Sequence, residues 1–190
     1  MPNKSQSSHQ QSRRDFLRHM GSITAGLAVS SSALGAIQTA SFDKTLMFQN
    51  LHTGEALKTT FYAAGDYVTE SLDNINYLLR DHRSNQVGNM DPQLLTLLHD
   101  LKNMLGSADP FHVISGYRSP ETNAMLNQRS NNVAKKSLHM QGKAIDIRLP
   151  GIDTKHLHQA ALALQGGGVG LYTRSDFIHL DVGRVRQWGK

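Results

Sequence analysis

The sequence predicts an α+β fold: a small, mainly antiparallel sheet with helices packed on one side. Three observations carry this reading. Apolar and polar residues alternate on both sides of a turn at His52-Thr53-Gly54, the pattern of a β-hairpin. Apolar residues recur at 3–4 spacing in later stretches that begin at good helix caps. Short alternating segments around 144–147 and 177–182 then supply further strands. No internal repeat is present, and 190 residues is the length of one domain by the usual prior of about 100–200.

Taken in order, the hairpin strands are Lys44–Asn50 and Ala56–Tyr62. Val68, Leu72, Ile75, Leu78 and Leu79 lie on one helical face, which predicts a helix over Tyr67–Arg83. Asp91-Pro92 is a strong start signal, with Asp as N-cap and Pro at the first helical position. Leu94, Leu95, Leu98, Leu101 and Leu105 form the buried stripe of that helix, and Gly106 ends it. Phe111–Tyr117 reads as a strand. Ser119-Pro120-Glu121 opens a helix through Arg129, and a polar loop follows to Ser137. After a turn at Gly142, Ala144 and Asp146 share one face of a strand, while Ile145 and Ile147 share the other. Asp153 caps a helix to Gln165, stopped by Gly166-Gly167-Gly168. Val169–Tyr172 and Phe177–Val182 are the last predicted strands.

Composition narrows the chemistry. There is no cysteine, so disulfides and thiolate metal sites are excluded, and a metal must use His, Asp or Glu. The net charge of +5 is concentrated at the start. Residues 1–40 hold four cations and one anion, and the rest holds sixteen against fourteen, a net of only +2. A nucleic-acid partner is not expected from that balance. Residues 1–11 are polar and read as flexible. Arg13-Arg14 then precedes an uncharged, weakly apolar run from Met20 to Phe42. This resembles a twin-arginine export signal, with the membrane met only during export. The expected division is therefore 1–40, signal and flexible N-terminus, and 41–190, a monomeric folded domain in the periplasm or cell envelope.

Of ten histidines, two stand apart. His139 lies seven positions before Asp146, and His179 sits on the last predicted strand with Asp181 on the same face. His139, Asp146 and His179 form a natural ligand set for Zn²⁺. Two imidazoles and one carboxylate leave a tetrahedral ion one open position for water, as in a catalytic site. An Asp between two isoleucines would be costly if buried unpaired, a cost a dication removes. The five histidines at 52, 82, 99, 156 and 158 read as ordinary polar positions, and His112 as a lesser candidate. Asp176, three residues before His179, needs a bend at Ser175-Asp176 to reach the metal water. Asp181 needs none, and reads as the general base or as an acceptor that orients His179, so that Asp176 and Asp181 rank equally as base. Trp188 reads as a packing residue. Gly167, Gly168 and Gly170 permit close backbone approach.

Four motifs in this order, SGYRS (115–119), SLHMQGKAID (137–146), GGVGLY (167–172) and FIHLDVGRVRQW (177–188), resemble the murein endopeptidase K-like branch of the LAS zinc metallopeptidases. That superfamily includes D-Ala-D-Ala carboxypeptidases and the hedgehog signalling domain, and the resemblance covers about residues 45–190. It implies a hedgehog/D,D-peptidase-like fold. It also implies zinc-dependent hydrolysis of amide bonds in peptidoglycan cross-links, with peptidoglycan peptides as partners. His139, Asp146 and His179 would be the metal ligands. Asp176 or Asp181 would be the base, and Arg118 would face the substrate carbonyl. Ser115, Tyr117 and Tyr172 would shape the substrate pocket. Two rival functions stay open: a D,D-carboxypeptidase or dipeptidase, and a catalytically silent, zinc-stabilised wall-binding module.

Overall fold

The computed structural model describes residues 43–130 and 133–189. The arginine pair and the rest of the expected export signal lie outside the described residues. Among the described residues eight strands form one sheet: β1 (Lys44–Asn50), β2 (Ala56–Ala63), β3 (Asp66–Tyr67), β4 (Phe111–Ser115), β5 (Ala144–Arg148), β6 (Gly168–Tyr172), β7 (Phe177–Asp181) and β8 (Arg186–Gly189). Their order is β3-β2-β1-β4-β5-β7-β6-β8. Neighbours are antiparallel except β1 with β4 and β6 with β8. The helices are α1 (Thr69–Leu78), α2 (Pro92–Leu105), α3 (Pro120–Arg129) and α4 (Thr154–Ala163). The architecture is thus α+β with an open, mostly antiparallel sheet, as the sequence predicts.

The caps explain the helix boundaries. The Asp91 carboxylate accepts from Gln93 N–H, and Gly106 ends α2 in the left-handed conformation. Ser119 and Asp153 cap α3 and α4 in the same manner. Period-two alternation sends Ile145, Ile147, Val169, Ile178 and Leu180 to one face of the sheet. There they join Ile75 of α1, the leucines of α2, and Leu157 and Ala161 of α4 in one core. Full burial of each large aliphatic side chain contributes roughly 1.5–3 kcal/mol. Helix α3 differs, since its buried residues are the polar Thr122 and Asn123.

Several boundaries depart from expectation, three of them with a clear cause or consequence. Helix α1 stops at Leu78, not Arg83. Its apolar spacing ends at Leu79, and Arg80 turns away to bond Glu55, Asn85 and the Tyr77 carbonyl. Asp66 and Tyr67 form β3 instead of a helix start. Strand β4 stops at Ser115 because Tyr117 N–H leaves the ladder for the Leu79 carbonyl, 2.8 Å away. Strand β8 was not expected, since Arg186-Gln187-Trp188-Gly189 has only one apolar side chain to mark it.

Candidate metal centre

The opposite face of the sheet carries the polar cluster. Asp146 on β5 pairs in register with His179 on β7, so their side chains emerge side by side. His139 arrives differently, from a 3-10 turn at Leu138–Gln141 and not from a strand. The Ser137 hydroxyl caps that turn by accepting from His139 N–H. Gly142 closes it at φ 66°, and a Cβ there would lie 1.8 Å from the Asn89 carbonyl oxygen. Only glycine meets both conditions.

Hydrogen bonds set the ring orientations. His139 Nδ1 lies 2.7 Å from the Gly116 carbonyl and so carries the proton, leaving Nε2 with its lone pair. That Nε2 is 3.3 Å from both Asp146 Oδ1 and His179 Nδ1. His179 Nδ1 is 2.9 Å from Asp146 Oδ1, and its Nε2 is 3.0 Å from Asp181 Oδ2. One ligand atom from each of His139, Asp146 and His179 thus converges, all within 4.8 Å of one another. Two imidazole lone pairs and a carboxylate in this arrangement fit a divalent metal, and zinc suits the donor set.

The charges are strongly coupled. Burial pushes His139 down. Burial also opposes charge on His179, but hydrogen bonds to Asp146 and Asp181 outweigh it and push the imidazole up to about 9. Burial opposes ionisation of Asp146 too, yet the two histidines hold it well below the usual carboxylate range.

The two other acids do not reach the cavity wall. Asp181 is completely buried, and its oxygens accept from His179, Arg186, Gly168 N–H and Gly183 N–H. Asp176 does sit at a bend, in the left-handed region at φ 51°. Its carboxylate bonds the Thr154 hydroxyl and Arg148, and its side chain is 62 % exposed. Arg118 is 9 % exposed and lies on the wall, with Nη2 3.7 Å from Asp146 Oδ2. Asn123 of α3 and Ser115 hold its guanidinium from behind. Tyr172 lines the cavity, whereas Ser115 and Tyr117 lie outside its wall. His112 is also absent from the wall.

The cavity, of about 410 Å³, has a further wall that the sequence reading did not assign: Phe177, Arg186 and Trp188. Strand β6 separates β8 from β7, and its glycines let β8 side chains cross. A Cβ on Gly168 would lie 2.2 Å from Arg186 Nη1, and one on Gly170 would lie 2.5 Å from the Trp188 indole. Across these gaps Arg186 reaches Asp181 at 2.7 Å, and the Trp188 ring comes 5.2 Å from that of His179. The alternation of Arg186 and Trp188 was the available signal, because it places both on one strand face.

Residues 38–188 match the family model Peptidase_M15_2, described as peptidoglycan L,D-endopeptidase MepK. The chain belongs to this family. It is 40 % identical over 176 residues to peptidoglycan L,D-endopeptidase MepK of Escherichia coli strain K12, covering 93 % of this chain and 96 % of that one. The MepK of Shigella flexneri matches to the same extent. A probable peptidoglycan L,D-endopeptidase MepK of Haemophilus influenzae is 39 % identical over 179 residues, 94 % of this chain and 96 % of that one. The MepK family match spans every residue of the triad, the cavity wall and the glycine-lined crossing.

Proposed function

We propose that this protein is a zinc-dependent peptidoglycan endopeptidase that hydrolyses internal amide bonds in the peptide cross-links of the cell wall. Its relatives are named L,D-endopeptidases, which supports an internal bond between centres of opposite configuration as the one cleaved. The single observation that carries the reading is the convergence of His139 Nε2, Asp146 and His179 Nδ1 on one point beside Arg118. Membership of a peptidase family supports the same activity class. Zinc in a three-ligand site supplies Lewis acidity, polarising a carbonyl and making water nucleophilic at neutral pH.

The chain's own groups do the rest. Arg118 presents a fixed guanidinium to the amide carbonyl and steadies the charge its oxygen gains. Its burial makes that charge more effective than it would be in water. Asp181 positions His179: it accepts from Nε2 and so keeps Nδ1 turned to the metal point. Asp146 is the only carboxylate on the cavity wall among the described residues, and its Oδ2 faces Arg118. Phe177, Tyr172 and Trp188 form the apolar wall against which the substrate lies.

The test is digestion of purified sacculi followed by mass spectrometry. Cross-linked muropeptide dimers should become monomers while monomeric pentapeptides keep their terminal D-Ala. Release of D-Ala with dimers intact would give the carboxypeptidase, and no product at all would give the binding module. We further propose periplasmic action after twin-arginine export. Replacing Arg13 and Arg14 with lysine should hold the precursor in the cytoplasm, and normal export of that variant would contradict this route.

A further inference from the structure

Tyr172 ends β6 on the site face of the sheet and lines the cavity with Arg118, Asp146 and both histidines. Its ring is stacked on Phe177, with centroids 4.6 Å apart and planes 14° apart. Its hydroxyl oxygen accepts from Trp188 Nε1–H at 3.1 Å. Indole is a donor only, so this bond uses an oxygen lone pair and leaves the phenolic proton to be given elsewhere. No protein acceptor takes that proton among the described residues. The donor that fixes the hydroxyl is itself fixed, because Trp188 lies against Gly170 and under the Arg186 guanidinium, 4.9 Å from the ring centre. Arg118 and Tyr172 line the same cavity.

A rigid O–H donor with no internal acceptor, on the wall of a hydrolytic site, has a specific use. Donors already in place where charge develops need no reorganisation during reaction. Apart from the cationic side chains, Tyr172 is the partly exposed neutral hydroxyl on this wall. Ser137, the other hydroxyl residue there, is buried and caps the His139 turn.

We propose that Tyr172 is a catalytic residue: its hydroxyl donates a hydrogen bond to the carbonyl oxygen of the scissile amide, strengthening as that oxygen becomes tetrahedral and anionic. Arg118 supplies the charge and Tyr172 the direction. Trp188 is a positioning residue that acts through Tyr172. The proposal rests on the peptidoglycan endopeptidase reading.

The experiment compares Tyr172→Phe with the wild-type full chain, both loaded with zinc, on cross-linked muropeptide dimers. Expected is a fall in kcat of about 100-fold with KM changed by less than about twofold, and undiminished zinc content. A phosphinate analogue of the cleaved dipeptide, titrated by calorimetry, should bind the variant more weakly by a similar factor. Trp188→Phe should lower kcat less, and should have no further effect in the Tyr172→Phe background. Unchanged kcat in Tyr172→Phe, or a rise in KM alone, overturns the catalytic role. Additive losses in the double variant overturn the coupling to Trp188. If the wild-type chain leaves dimers uncut, the endopeptidase reading fails. Equal phosphinate binding by the two proteins then overturns the Tyr172 role as well, and weaker binding by the variant upholds it.

Discussion

Asp181 Oδ2 lies 3.0 Å from His179 Nε2, in a position with no solvent exposure at all. The bond fixes which imidazole nitrogen faces Asp146 and His139. Arg186, 2.7 Å from the same oxygen, fixes the carboxylate in turn. Burial of an ionised carboxylate is costly, and this one is retained because four groups donate to it. Its ionised form is therefore favoured, and its pKa lies well below the ordinary value despite burial.

Asp181→Asn should weaken zinc binding by about 10–100-fold, by loosening the orientation of His179. Arg186→Gln should do the same to a smaller degree. Competition with a chromogenic chelator measures both. Wild-type zinc affinity in Asp181→Asn, with kcat abolished, would instead make Asp181 the general base.

Asp176 should be dispensable for the reaction. Its carboxylate is engaged by Arg148 and Thr154, so Asp176→Asn should keep kcat within about threefold of wild type. Arg118→Ala should lower kcat by about 100–1000-fold, the cost of a removed oxyanion donor. Steady-state kinetics on muropeptide dimers separates the two. A dead Asp176→Asn protein that still binds zinc would return the proton-acceptor role to Asp176.

The contrast between these residues shows what sequence can carry. Ligand type and strand alternation single out Asp146 and His179, because alternation fixes the face on which a strand residue emerges, whereas His139 sits on a 3-10 turn and is marked by residue type and spacing alone. The hairpin and the capped helices were legible for the same reason: their signals are local. The surroundings of Asp176 and Asp181 were not, since they depend on which partners the fold brings from Arg148, Thr154 and Arg186. Trp188 reads as packing because Arg186-Gln187-Trp188-Gly189 has only one apolar side chain to mark a strand, and its path to His179 depends on Gly170 of a different strand. The end of α1 was likewise decided by tertiary partners of Arg80 rather than by propensity.

A histidine outside the site should govern part of the acid sensitivity. His82 stacks on His52 with ring centroids 3.8 Å apart. Burial, with Arg83 and His52 nearby, pushes it down to about 4. The folded state thus favours neutral His82, whereas the unfolded chain protonates near the ordinary value of about 6.5. Its stabilising contribution is complete above that value and is lost as pH falls from about 6.5 towards 4. His82→Gln should therefore show a smaller drop in Tm between about pH 7 and pH 4.5 than the wild type. Identical slopes in thermal unfolding would show that His82 does not titrate with folding.

The most direct measurement of the central claim follows metal and cleavage together. Purified protein is stripped with a chelator, assayed on a defined cross-linked muropeptide dimer, and assayed again after one equivalent of zinc. Conversion of dimer to monomers should vanish on stripping and return with zinc, while His179→Ala should neither retain zinc nor recover activity. Cleavage that persists in fully stripped protein, or dimers left intact by the zinc-loaded chain, would contradict a zinc-dependent peptidoglycan endopeptidase.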